Sequence, residues 1–192
     1  MELIPFLRQH VQISSEQEIE LDRAFKMEIL PKGHKLLLPD NHSNKVFFFE
    51  HGLARSFYIK HDKDITHYFY SENTFNMPIE SIFYNNASPY GLELLEKTVV
   101  RTITYPEAEK YFDQSTGLQK VARLLLIDVL SSFSKRLYSL QFQSAQERYQ
   151  TLIAYYPDIL LRAPLGHIAS YLGITQQTLS VIRAQKYPGT GC

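Results

Sequence analysis

Cysteine is almost missing from this chain: among 192 residues there is one, Cys192. A lone thiol excludes an internal disulfide framework and any thiolate cluster for iron–sulfur or zinc binding. Tryptophan is absent, so the 13% aromatic content rests on 13 Tyr and 12 Phe. No apolar run approaches the roughly 18 residues of a membrane-crossing helix. The opening MELIPFLRQH has no basic segment leading into an apolar one, as a secretory signal does, so a cytoplasmic location away from membranes is expected. Catalytic patterns are missing as well: no nucleophile–base constellation, phosphate loop or carboxylate pair stands out. His34, His42, His51, His61 and His67 are scattered, without the close His-x-His pair and following Glu of a metal-dependent cupin. The expectation is a protein with no catalytic residue, no metal and no cofactor.

Net charge is also missing, since 20 basic residues balance 20 acidic ones. The balance conceals an asymmetry. Residues 1–134 hold 14 Lys and Arg against 18 Asp and Glu, whereas residues 135–192 hold six (Lys135, Arg136, Arg148, Arg162, Arg183, Lys186) against two (Glu147, Asp158). A basic end behind an acidic body points to a polyanion partner at that end.

What is present falls into three stretches. Ser15 and Glu18 have capping-box spacing and predict a helix near 15–26. From Ile29 to Thr104, β-rich runs such as VFFFEHGLARSFYIK and EKTVVRTITY alternate with breakers at 50–52 and 61–64, the pattern of an antiparallel sandwich or roll. Between Thr116 and Leu140 a helical stripe returns, with Leu118, Val121, Leu125, Val129, Ser132 and Phe133 near one face. Such a helix is about 36 Å long, more than a small roll can cover, so Leu118, Val121, Leu125 and Val129 are read as a seam against a second copy. Ser144 and Glu147 form another capping box, and helices are expected over about 144–156, 164–172 and 176–186.

The last two of these helices meet the demands of a tight helix-turn-helix. Ala169 is small where the second helix crosses, Gly173 tolerates the turn, and Ile174 can plug the corner. Thr175 can cap the second helix while Leu179 and Ile182 face Ile168 and Leu172. That helix then offers Thr175, Gln176, Gln177, Thr178, Ser180, Arg183 and Lys186 to duplex DNA, groups suited to base edges and phosphates.

With its order of helix, roll, long helix and the ending IASYLGITQQTLSVIR, the chain resembles the Crp/Fnr family of bacterial transcription regulators, and within it a form associated with Bacteroidetes. The stretches ILPKGHKLLLPD, VFFFEHGLARSFY and ITHYFYSENTF match the family's rhythm in the roll. The resemblance implies an α+β fold: a cyclic nucleotide-binding-like effector domain over 1–112, a dimerisation helix over 113–140 and a DNA-binding domain over 141–192. It further implies a homodimer, double-stranded DNA and RNA polymerase as partners, and a small effector in the roll, where Glu80, Ser81 and Tyr90 are assigned to the pocket.

The chain departs from the family pattern in two places. FNMPIESIFYNNASPYGLELLEKT lacks the Gly-Glu pair and the arginine that hold a cyclic phosphate, and no Lys or Arg occurs between Lys63 and Lys97. Glu80 would repel a phosphate, so the effector is expected to be something other than cyclic AMP bound in the usual manner. Gln176 and Gln177 stand where many members carry Arg-Glu, and the ending YPGTGC leaves no room for a β-wing. Two rival readings stay open: a sensor with degenerate DNA binding that acts through protein partners, and a cupin-like metal enzyme.

Overall fold

The computed structural model describes residues 2–186, with the side chains of 185 and 186 excepted. The expectations for the Lys186 side chain, for the tail 187–192 and for Cys192 therefore lie outside the described residues. Helices α1 (Leu3–Arg8) and α2 (Ser15–Ala24) lead into strands β1 (Lys26–Leu30), β2 (Lys35–Leu37), β3 (Lys45–His51), β4 (Ala54–Lys60), β5 (Lys63–Tyr70) and β6 (Thr74–Asn76). Helix α3 (Ile79–Tyr84) precedes β7 (Gly91–Leu94) and β8 (Thr98–Thr104). The chain then continues through α4 (Tyr105–Gln114), the long α5 (Thr116–Phe142), α6 (Ala145–Tyr155), α7 (Ile159–Arg162), α8 (Leu165–Leu172) and α9 (Gln176–Lys186).

The strands form two antiparallel four-stranded sheets, in the orders β1-β8-β3-β6 and β2-β7-β4-β5. Phe47, Phe49, Leu92, Leu94 and Val100 fill the space between them. Phe48, which alternation turns to the other side of β3, packs instead with Leu3, Phe6, Leu21 and Ile103 under the helices. Both faces of β3 are thus covered, and this is why its sequence reads as an unbroken apolar run. Arg101, paired with buried Glu50 and with Asp22 at 2.8 Å, ties β8 to α2, and Glu50 also accepts the Leu3 N–H at 3.0 Å.

The capping box at α2 is one residue earlier than its spacing predicts. Ser14 Oγ accepts the Gln17 N–H while the Gln17 side chain accepts the Ser14 N–H. Glu18 is not free for that role, because its carboxylate pairs with Arg8 of α1 at 2.6 Å. The box at α6, by contrast, is the predicted Ser144–Glu147 pair. Helix α4 has no counterpart among the helices expected from the sequence; Pro106 lies in its first turn, where its missing N–H costs nothing.

Helix α5 changes its allegiance along its length of 27 residues, about 40 Å. Leu118 and Val121 are buried in the core formed with α1, α2 and α4, and Leu125 packs against the same cluster. They are therefore engaged within the protomer, which corrects the reading of Leu118 and Val121 as a seam with a second copy. Val129 is 39% exposed, and beyond the roll the outward side carries Leu126, Ile127, Leu130 and Leu137, of which Leu130 is 70% exposed.

Candidate nucleic-acid interface

The turn between α8 and α9 is built by local chemistry. Gly173 sits in the left-handed region at φ 67°, which lets its N–H reach Ser170 O and the Ile174 N–H reach Ala169 O, both at 3.0 Å. Thr175 Oγ1 then accepts the Thr178 N–H at 3.1 Å and caps α9. Ile168, Leu172 and Leu179 are fully buried, Ala169 and Ile182 nearly so, and Ile174 packs against the same core. All six inward positions that the sequence singles out lie together.

The opposite side of α9 is uncovered. Gln176, Gln177, Thr178 and Ser180 are exposed and Arg183 is half-buried. The two glutamines are not equivalent, however. The Gln176 side chain lies over Gly166 of α8, where a Cβ would come within 2.9 Å of its amide nitrogen. Gln177 has no such neighbour and is the freer of the pair.

The motif is anchored to the roll. Leu53, Phe69 and Leu95 of the roll share one apolar core with Tyr149, Leu152, Ile159, Ile168 and Leu172 of the helical end. The Thr66 N–H donates to Ser170 Oγ at 3.0 Å, and Tyr156 OH donates to Phe69 O at 2.9 Å. Arg162 reaches Glu72 and Glu96, each at 2.6 Å, and Asp158 at 3.2 Å. Burial alone would lift the Glu72 carboxyl, but donation from Arg162, donation from the Glu72 and Gly52 N–H groups, and the Arg162 charge together outweigh it and hold the group below the ordinary range.

The charge asymmetry of the sequence is resolved differently from its simplest reading. Arg162 is neutralised against the roll. Arg136 stacks on Tyr171 and donates to its carbonyl, and Arg148 donates to Leu172 O at 2.8 Å and Gln143 O at 2.7 Å. Three of the six basic residues thus point into the junction rather than towards DNA. Among the described side chains of α9, Arg183 alone is cationic.

Of the residues assigned to an effector pocket, Glu80 is close enough for its charge to act on Tyr90. Glu80 and Ser81 lie on α3, and Glu80 Oε2 and Ser81 Oγ are buried without a hydrogen-bond partner. Tyr90 is buried in the roll and its hydroxyl donates to Met77 O at 3.1 Å. Burial raises the pKa of Tyr58 and of Tyr90, and the charge of Glu80 adds to both. Asn76, which donates to Tyr70 OH at 2.9 Å, belongs to the same group and was not singled out from the sequence, because nothing local distinguishes it. No group of three or more His, Cys, Asp or Glu side chains able to hold a metal comes together among the described residues. Nor is any described helix long and apolar enough to cross a membrane.

No protein-family profile and no curated protein sequence matches this chain. Solved structures do. FixK2 from Bradyrhizobium japonicum superposes with a TM-score of 0.72 at 17% identity, covering 88% of this chain and 89% of that one. A doubly substituted CooA from Carboxydothermus hydrogenoformans gives 0.65 at 17% identity, over 92% and 86% of the two chains. A protein described as a transcriptional regulator of the Crp/Fnr family, from Eubacterium rectale, gives 0.66 at 13% identity, over 91% and 84%. Such low identity with such broad coverage makes the likeness one of architecture. The chain has the α+β fold of these proteins: an antiparallel roll, a long helix and a helical C-terminal end.

Proposed function

We propose that this chain is a cytoplasmic, homodimeric DNA-binding transcription regulator of the Crp/Fnr type, answering to a small effector held in the roll. The observation that carries the reading is the division of α9 into two sides. Leu179 and Ile182 fix it against α8, while Gln177, Thr178 and Ser180 face away from the rest of the protomer. A polar outer side is common to surface helices; here it stands directly beyond a helix-turn-helix corner built by Gly173 and Thr175, which presents it away from the core. A glutamine amide can donate to N7 and accept from N6 of adenine, so A·T pairs are expected beneath Gln177.

A second copy is supported by α5. Leu126, Ile127, Leu130 and Leu137 are all more than half exposed and share the outward side of one helix. Each is already partly covered, so burying the rest in a seam is worth about 0.8–2 kcal/mol. Two motifs in one dimer would meet successive major grooves about 34 Å apart. Glu80, Ser81 and Tyr90 remain the proposed lining of the effector pocket, and their acceptor-rich setting favours a ligand bearing hydrogen-bond donors.

The test is fluorescence anisotropy with random duplex DNA and with a selected site, across a salt series. Binding that weakens with salt, together with loss of the selected site's advantage in Gln177→Ala, is the expected result. Equal loss on both DNAs would remove the glutamine from base reading, and no binding to either would overturn the proposal.

A further inference from the structure

The junction between roll, long helix and helix-turn-helix contains a cleft with three cations and no acid. A cavity of about 60 Å³ is lined by Arg136 of α5, Arg148 of α6, Tyr68 of β5 and Tyr171 of α8. It opens into a groove of about 380 Å³ between α5 and α6, and Lys135, Ser139, Thr151 and Tyr155 border both spaces. No Asp or Glu lines either of them, and among the described residues Lys135, Arg136 and Arg148 form no ion pair.

This arrangement is costly as it stands. A half-buried guanidinium without a counter-charge loses hydration that backbone carbonyls restore only in part. Burial pulls the Arg136 pKa down, and the neighbouring Arg148 charge pulls it further. Each guanidinium has five N–H donors, of which Arg136 uses one on Tyr171 O and Arg148 uses two on Leu172 O and Gln143 O. Donors therefore remain, along with the ammonium of Lys135, whose only described bond is a 3.4 Å contact to Tyr155 OH.

We infer that the cleft binds a phosphate monoester, its phosphate among Lys135, Arg136 and Arg148 and its flat or apolar body along the tyrosine-bordered groove. Size allows it: the inner cavity of about 60 Å³ is several times the roughly 10–15 Å³ that admits one water, and it opens outward rather than closing over the site. Charge fits as well, since a phosphate carrying about two negative charges meets three positive ones. Helix geometry keeps the site open in a dimer. At about 100° per residue, Ser132, Lys135 and Ser139 lie on the side of α5 away from Leu130 and Leu137, with Arg136 at its edge, about 100° from Leu137. The bound ligand would join α5 and α6 to the C-terminal end of α8, and so couple ligand to the placement of the helix-turn-helix. The site is separate from the effector residues of the roll and does not depend on DNA binding.

Calorimetric titration of the full chain with phenyl phosphate, free of DNA, is the test, with phenol as the neutral control. Saturable binding at millimolar concentration or below is expected, phenol binding far more weakly. Lys135→Gln, an exposed position that leaves the core intact, should weaken binding about tenfold, and Arg148→Gln by at least as much. No binding of phenyl phosphate overturns the inference. So does binding that neither substitution changes, or phenol binding equally well. If Lys135→Gln weakens DNA binding while phenyl phosphate does not bind, the cations belong to the DNA interface and the inference also fails.

Discussion

Replacing Arg162 by glutamine is expected to loosen the helical end from the roll. The guanidinium lies with its side chain 15% exposed between Glu72 and Glu96, each 32% exposed and each 2.6 Å away. Fully exposed pairs are worth about 0.2–1 kcal/mol, and breaking a buried one costs about 3–5. The partial exposure here, discounted for solvent screening, places the loss at about 2 kcal/mol. Part of it comes from leaving two carboxylates facing one another, with Glu72 still held by the Gly52 N–H at 3.1 Å. Glu72→Gln in the Arg162→Gln background should therefore recover some of the stability. Because Arg162 depresses the Glu72 pKa, its stabilisation is present above the ordinary value of 4.5 and is lost as pH falls below it. The difference between wild type and variant should accordingly shrink on acidification. Urea unfolding followed by circular dichroism, at neutral and acidic pH, measures both quantities. A loss below about 0.5 kcal/mol at neutral pH would show the network to be an ordinary surface one and refute the reasoning.

Leu130→Asp should yield a monomer in sedimentation while leaving the fold intact, whereas Val121→Ala should lower stability without changing assembly; a wild-type monomer at micromolar concentration would contradict the seam. Burial, reinforced by Arg136 at His67 and by Arg55 and Lys32 at His167, lowers both histidine pKa values below 6.5, with Glu80, Asp64 and Glu93 opposing. The unfolded chain then binds more protons just below pH 6.5, so stability should fall as pH drops through that range, and His167→Gln should flatten the slope. Cyclic AMP should leave the melting temperature unchanged, where a ligand at about 100 times its Kd would add about 2.7 kcal/mol.

The helix-turn-helix was legible in the sequence because everything that makes it is local: a left-handed glycine, a threonine cap, and apolar residues at helical spacing. The roll showed in the rhythm of its strands, although the double burial of β3 blurred its alternation. The faces of α5 were not legible. Leu118, Val121, Leu125 and Val129 form a regular stripe, but a stripe records only that something covers it. Here α1, α2, α4 and the roll cover the first half, and the exposed apolar residues begin at Leu124. Charge counting is coarse for a related reason, since six basic residues near one end say nothing of where Arg136, Arg148 and Arg162 point. Most of their partners, among them Glu72, Glu96 and Tyr171, lie far away in sequence and come close only through the fold.

Selection of duplexes from a random pool by the purified full chain tests the central claim most directly. The account predicts an inverted repeat with half-sites one helical turn apart, A·T pairs at the positions nearest Gln177, and loss of that preference in Gln177→Ala. A pool that emerges unenriched, or an enriched site that Gln177→Ala reads equally well, would contradict it.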